Sequence, residues 1–336
     1  MRGWITFAAI ALTASPAISK DHEPRALFAS DVPIHVTIQG PFRSLVSNRE
    51  KTPRAATLTA EGVTYPITLT PRGITRRTTS VCDFPPLKVE FTSPAPPNSL
   101  FAHQKHLKLV THCKRAEDFQ QKVLLEYSAY RLYNLITPLS FRARLANIDY
   151  VDETGRPYIS RAGYFLEEAS QVAKRNGMTE AHMPDTIAGE LLDPATSAKF
   201  AVFEYMISNY DWSMRAGPRG QECCHNSKLM KTPGSNVVFP VPYDFDWSGL
   251  VDAPYAGVQE GVNIDSLRQR EYRGYCAHQA AARVFASQIA PRRAEFVGLF
   301  STIPGLQPRE QAKAAAFVQS FFNDVDSGKM LKNCIR

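Results

Sequence analysis

The period of the apolar residues changes once along this chain, and that change constrains the fold more than any other feature. From residue 30 to 113 the period is two. Pro33-Ile34-His35-Val36-Thr37-Ile38 alternates, as do Ala56 to Thr59 and Thr64 to Leu69, with turn signals at Glu61-Gly62 and Pro71-Arg72-Gly73. The Pro-rich stretch from Ser93 to Asn98 reads as a loop. From Ala116 to Ile136 apolar residues recur about once per helical turn, at Val123, Tyr127, Tyr130 and Leu135, until Pro138 stops the helix. Two strands follow, Phe141 to Asp149 and Tyr158 to Glu167, around the turn Glu153-Thr154-Gly155. Beyond them the pattern is mainly helical, at Ala195 to Ser208, Gly274 to Phe300 and Pro308 to Phe322, with one strand at Val237 to Tyr243. No internal repeat is present. The layout is α+β, a β-rich part with one embedded helix followed by a helical part.

A chain of 336 residues, 44% apolar and 21% charged, can bury a sizeable core as one large domain or two lobes, and its composition excludes wholesale disorder. Its first residues read as an export signal. Arg2 supplies the positive start, Trp4 to Ala14 a short apolar run, and Ala17-Ile18-Ser19 a small-x-small cleavage site. Residues 1–19 are therefore expected to be removed, placing the chain in the periplasm or outside the cell. No later segment is long and apolar enough to span a membrane. Cleavage after Ser19 takes the formal net charge from +7 to +6 through loss of Arg2. This excess suits an anionic ligand or surface, but the basic residues are scattered and no nucleic-acid motif accompanies them.

Six cysteines in an exported chain suggest disulfides. Cys82 precedes the strand-like Leu87 to Phe91, and Cys113 follows the strand-like Leu107 to Thr111. A hairpin of those strands with Cys82 opposite Cys113 places Phe91 opposite Gln104, so a Cys82–Cys113 bridge is expected. Adjacent cysteines rarely bond each other. Cys223 and Cys224 are expected to pair one each with Cys276 and Cys334, in either order. Zinc on Cys223, Cys224 and His225 is the competing account, but the ligands lie too close in sequence for a usual zinc site.

The polar residues that carry chemistry fall between apolar runs. They are Asn209-Tyr210-Asp211-Trp212-Ser213, Cys223-Cys224-His225-Asn226-Ser227-Lys228, and Val241-Pro242-Tyr243-Asp244-Phe245-Asp246-Trp247-Ser248-Gly249. A lone Asp, a downstream Asn and a strand-borne Asp pair are equipment for holding Mg²⁺ and a phosphorylated substrate. Asp244 and Asp246 sit at strand spacing, so both carboxylates point to one side and repel unless a cation or strong donors lie between them. Each candidate also has a plain structural reading: Asp211 as a helix-end turn residue, Asn226 as a loop amide, the Asp pair as a cap on the turn at Ser248-Gly249. No Ser-His-Asp or Cys-His nucleophile pattern and no metal-type histidine spacing occurs along the chain.

Arg72-Gly73-Ile74-Thr75-Arg76-Arg77 followed by Pro85-Pro86-Leu87-Lys88-Val89-Glu90-Phe91 resembles the Arg-Gly-x-Ser-Ser…Pro-Lys-x-x-Tyr-x-Leu-x-Phe signature of the spore-coat CotH-type atypical kinases. Further stations follow in the family's order. Leu107-Lys108-Leu109 is similar to its next strand and Leu124-Leu125-Glu126 to its helix. Gly163-Tyr164-Phe165-Leu166-Glu167-Glu168 is similar to its Gly-x-Tyr-x-x-x-Glu strand, and Tyr210-Asp211, Asn226 and Pro242-Tyr243-Asp244-Phe245-Asp246 to its acidic stations. The resemblance covers about residues 60 to 250. The chain departs from it at Cys82-Asp83-Phe84-Pro85-Pro86, where the family shows Pro-Lys, and in the longer gap from Asp211 to Asn226.

The resemblance implies a two-lobed kinase-like fold, with a β-rich lobe over residues 20–168 and a mainly helical lobe over 169–336. It implies ATP and Mg²⁺ as cofactors and phosphoryl transfer to a protein or small hydroxyl substrate. Asp211 would meet the substrate hydroxyl as catalytic residue. Asn226 and Asp244, with Asp246 as partner, would hold the metal. Lys108 paired with Glu126, or Lys88 in its place, would orient phosphates, Arg72 and Gly73 would approach them, and Glu167 or Glu168 would meet the adenine edge. The competing classes are a pseudokinase-type ligand-binding protein and a disulfide-stabilised envelope scaffold.

Overall fold

The computed structural model describes residues 25–336. The expected export signal lies outside the described residues. Strands β1 (Ile34–Gln39), β2 (Arg54–Ala60), β3 (Val63–Pro71), β4 (Leu87–Phe91) and β5 (His106–Val110) form where period-two alternation was read, with a short helix α1 (Phe42–Ser47) after β1. Helix α2 (Glu117–Ile136) and the hairpin β6 (Ala143–Val151) and β7 (Pro157–Leu166) follow. Then come α3 (Ala169–Arg175), β8 (Thr179–Glu180), α4 (Pro194–Ile207), β9 (Ser227–Lys231), β10 (Phe239–Pro242), α5 (Gln279–Ile289), α6 (Arg293–Gly298) and α7 (Pro308–Asp326). The single helix expected from Gly274 to Phe300 is broken between α5 and α6, where Pro291 lacks the N–H that a continuous helix needs.

The two-lobed kinase-like fold is not what the chain adopts. The seven strands β1 to β7 close into one mixed barrel in the order β1-β2-β3-β4-β5-β7-β6, alongside a three-stranded sheet, β10-β9-β8, and the helices. The overall class is α+β, as expected. Closure comes from β1, which pairs antiparallel with β2 at Thr37↔Thr59 and parallel with β6 at Val36↔Ile148. The hairpin β6–β7 after α2 thus belongs to the same sheet as the strands before α2. A closed sheet leaves no edge to template unwanted pairing. Its alternating inward residues, among them Val36, Ile38, Leu58, Ile67, Leu69, Val89, Leu107 and Leu109, fill one apolar core. Helix α2 packs outside that barrel and is buried on most of its faces, joining Leu124, Tyr127, Tyr130 and Leu132 to the second core formed with α4 to α7.

Three cysteine pairs stand at disulfide distance: Cys82–Cys113, Cys223–Cys224 and Cys276–Cys334. The first is the expected bridge. Its strand register differs by one residue from the expected one, because Leu87 pairs with Leu109 and the Phe91 N–H donates to the Lys105 carbonyl at 3.0 Å. Both cysteines lie beyond the strand ends, and Cys113 adopts a left-handed φ of 59°, so counting residues inward from the bridge misplaces the ladder. The crossed pairing expected of the other four is overturned. Cys276 and Cys334 come together with Cα atoms 5.0 Å apart, held by backbone hydrogen bonds from the Cys276 N–H to Ile335 and from the Ile335 N–H to Gly274. The adjacent pair is left to itself.

Candidate functional site

Four loops meet at a cleft of about 230 Å³. The β3–β4 connection brings Arg72, Gly73 and Arg76. The end of α4 brings Asp211, the residues before β9 bring His225 and Asn226, and the segment after β10 brings Asp244, Asp246 and Trp247. Helix α4 starts where the Asp193 carboxylate accepts the Thr196 N–H at 2.7 Å and stops at Ser208, in left-handed conformation at φ 54°. The loop after β10 is tied to that stop: the Gly249 N–H donates to the Ser208 carbonyl at 2.9 Å and Leu250 to Ile207 at 3.0 Å. A Cβ at Gly249 would collide with the Leu267 carbonyl, so glycine lets the segment around Leu267 pack against this loop.

Asp211 is held on three sides. Its Oδ1 meets the His225 Nε2 at 2.7 Å and accepts from Gln259 at 3.3 Å, and its Oδ2 accepts from the Asn226 amide at 2.9 Å. The same amide donates to the Asp211 carbonyl at 2.6 Å, and Asn209 Oδ1 accepts the Asp211 N–H at 3.2 Å. Hydrogen bonding to Asp211 pushes the His225 pKa up, against the opposing pull of burial. Asn226 and Asp244 both stand at positive φ, 47° and 66°, a region that Asn and Asp enter at lower cost than other side chains. The Tyr243 N–H donates to the Asn226 carbonyl at 3.1 Å, so the end of the β9–β10 ladder sets the two residues side by side.

Arg76 stands among three carboxylates. Its NH1 donates to Glu126 Oε2 at 3.0 Å and its NH2 to Glu126 Oε1 at 3.4 Å and Asp244 Oδ1 at 3.3 Å. Its Nε lies 3.2 Å from Asp246 Oδ2. Tyr255 donates to the same Asp246 oxygen at 3.0 Å, and Tyr130 accepts the Asp244 N–H at 2.9 Å. Burial, together with crowding among the three acids, pushes Glu126 and Asp246 upward despite Arg76. Burial alone would lower Arg76, but Asp246, Glu126 and Asp244 outweigh it and raise its pKa well above normal.

The expected Lys108–Glu126 ion pair does not form, because Glu126 already serves Arg76. Lys108 makes no hydrogen bond or ion pair among the described residues, and its Nζ stands 5.0 Å from the Tyr243 ring centre. Burial, then the neighbouring Arg72, lower its pKa to about 8. Lys88, the rival lysine, pairs with Glu90 at 2.7 Å. Arg72 is half-buried on the cleft wall, and Gly73 turns there at φ 85° with open space beside it. Glu167 lies elsewhere in its contacts. It is buried, with its oxygens engaged by Arg175 at 3.0 and 3.1 Å and by the Arg142 N–H at 3.0 Å. That makes it a clamp between β7 and α3, in place of the adenine contact expected of it. Glu168 meets His106 at 3.1 Å.

Sequence reading passed over Arg76, His225, Gln259 and Tyr255. Arg76 was in view, in the Arg-Gly-x-Ser-Ser-like stretch where the resemblance has a serine. His225 stands out in the sequence only as a zinc-type neighbour of Cys223 and Cys224. Gln259 and Tyr255 carry no local signal. The donor set fits a hard cation, since Asp244 Oδ2 and the Asn226 side-chain oxygen make no hydrogen bond among the described residues, and oxygen ligands suit Mg²⁺. No protein-family model matches the chain, and no curated protein matches it. Among the described residues no helix is long and apolar enough to cross a membrane.

Proposed function

We propose that the cleft carries out Mg²⁺-dependent phosphoryl transfer from a nucleotide such as ATP to a hydroxyl of a protein or small molecule, outside the cytoplasm. The observation that carries this reading is the meeting of Asp211, Asn226 and Asp244 from three separate loops on one cleft that also presents Arg72. The ordered resemblance to CotH-type kinases points the same way. Export rests on the N-terminal signal pattern and agrees with the three cysteine pairs.

Asp244 and Asn226 are the oxygen donors for the metal, which when bound would neutralise phosphate charge. Arg72, on the cleft wall, has no ion-pair partner among the described residues and is available to phosphate oxygens, and Lys108 adds positive charge beside it from behind the Tyr243 ring. Asp211 is oriented by His225, Asn226 and Gln259 so that its carboxylate accepts the proton of the acceptor hydroxyl. The acceptor oxygen then bonds to the terminal phosphorus as the bond to the departing diphosphate breaks.

A second reading, a cleft that binds nucleotide without transfer, draws on Arg76, which already engages the carboxylates. The test is Mg²⁺-dependent stabilisation by nucleotides in thermal melts, paired with transfer of the γ-phosphoryl group to added acceptors. Stabilisation with transfer lost in Asp211→Asn and Asp244→Asn supports the first reading, and stabilisation without transfer supports the second. Absence of both rejects the two together.

A further inference from the structure

Arg76 lies on the connection between Pro71 and Leu87, which has neither helix nor strand, yet its side chain is only 9% exposed. The three carboxylates around it bring oxygens within 4.8 Å of one another, the spacing of ligands about a single cation. The guanidinium is that cation, with Nε toward Asp246, NH2 toward Asp244 and both terminal nitrogens toward Glu126. The three acids differ in what they have left to give. Glu126 is buried on α2 with both oxygens on Arg76. Asp246 is buried and shares Oδ2 between Arg76 and Tyr255. Asp244 has a 37% exposed side chain and keeps Oδ2 without a partner among the described residues.

Resting on the reading that the cleft takes a divalent metal, we propose that Arg76 occupies the place of a second ion. The site then binds one divalent ion, on Asp244 and Asn226, and Asp246 serves Arg76 instead of the ion. The physical basis is occupancy. The guanidinium fills the space that the three carboxylates enclose and takes both Glu126 oxygens, one of Asp246 and one of Asp244, so a second ion finds no place among them. Arg76 also fixes Asp244 Oδ1, so the ion meets a carboxylate already oriented. Arg76 is thus a positioning residue, acting through Asp244.

The test is Mn²⁺ alone, titrated into the full chain without nucleotide, with bound ions counted by electron paramagnetic resonance and affinity taken from calorimetry. The parent is expected to bind one ion. Asp244→Asn should weaken it by about tenfold or more, while Asp246→Asn should stay within about threefold. Arg76→Gln should bind a second ion and gain thermal stability from Mn²⁺ beyond the parent's gain. Arg76→Lys, which keeps the charge, should bind one. Two ions on the parent, none on the parent, a single ion on folded Arg76→Gln, or loss of binding in Asp246→Asn each overturn the proposal. Should Arg76→Gln not fold, the parent count and the Asp246→Asn affinity decide alone. One ion bound as expected but no phosphoryl transfer rejects the proposed activity and leaves this assignment standing.

Discussion

The Arg76 guanidinium grips the Glu126 carboxylate through two hydrogen bonds, NH1 to Oε2 at 3.0 Å and NH2 to Oε1 at 3.4 Å. It joins the loop after β3 to the middle of α2. The pair is asymmetric in its dependence. Arg76 without Glu126 keeps Asp244 and Asp246, whereas the three acids without Arg76 keep no ion-pair partner among the described residues. Arg76→Ala should therefore cost about 3–5 kcal/mol, the range for stranding buried charge. Glu126→Ala should cost less, about 1–3 kcal/mol. Urea denaturation of both variants checks the order, and a reversed order would contradict the geometry.

Lys108 holds a charge that its surroundings disfavour, with a pKa lowered to about 8 from 10.5. Between those values the unfolded chain binds the proton and the folded chain does not. Stability should thus rise with pH across that window. Lys108→Met should flatten the rise and add on the order of 1 kcal/mol at pH 7, where the parent carries the unpaired ammonium. The same variant should weaken binding of pyrophosphate by a few-fold, because a positive charge beside Arg72 is gone. Melts across pH and a pyrophosphate titration test the two halves separately.

Glu204 on α4 is buried, with the Asn209 side chain beside its carboxyl but no hydrogen bond of good geometry to either oxygen among the described residues. Burial pushes its pKa well above the carboxylate range. The folded chain holds a proton there that the unfolded chain gives up. The associated stability is full below the ordinary carboxyl pKa and is lost as pH rises toward the raised one. Glu204→Gln keeps the shape without an ionisable group. It should match the parent at acid pH and exceed it at alkaline pH, and equal slopes for both proteins would show that Glu204 is ionised when folded.

The bridges Cys82–Cys113 and Cys276–Cys334 span 31 and 58 residues. Chain entropy alone gives about 4 kcal/mol for each, so removing either by Cys→Ser pairs should lower stability similarly. Their effects on the site should differ. Cys82 anchors the loop that carries Arg72 and Arg76, and Arg49 donates to the Cys82 and Asp83 carbonyls at 2.6 and 2.7 Å. Cys276–Cys334 fastens the C-terminal residues far along the chain from that loop. Loss of the first bridge should weaken Mn²⁺ and pyrophosphate binding at a temperature where the protein is still folded, and loss of the second should leave both unchanged.

Local physics wrote much of this protein into its sequence. Alternation marked the strand at Thr64 to Leu69, a helical period and Pro138 marked α2, and turn-prone polar residues marked Asp211 and Asn226 as loop-borne, whereas Asp244 and Asp246, expected on a strand, lie past the end of β10 with Asp244 at positive φ. Hydrophobic period and backbone restriction act over a few residues, so they are readable from a few residues. The pairing of β1 with β6 joins residues more than a hundred positions apart, and nothing near Val36 announces Ile148. The partner of Glu126 was likewise a matter of distance in space. Lys108 and Arg76 both had the charge to neutralise it, and only barrel closure, with the loop folded back over α2, put Arg76 within reach. The same holds for the cysteines, since Cys276 found Cys334 through the backbone ladder at Gly274 and Ile335, which left Cys223 and Cys224 to each other. Sequence determined which segments could be strand, helix or polar loop. Tertiary packing decided which charges met, because a buried charge is stable only beside the partner that the finished fold delivers to it.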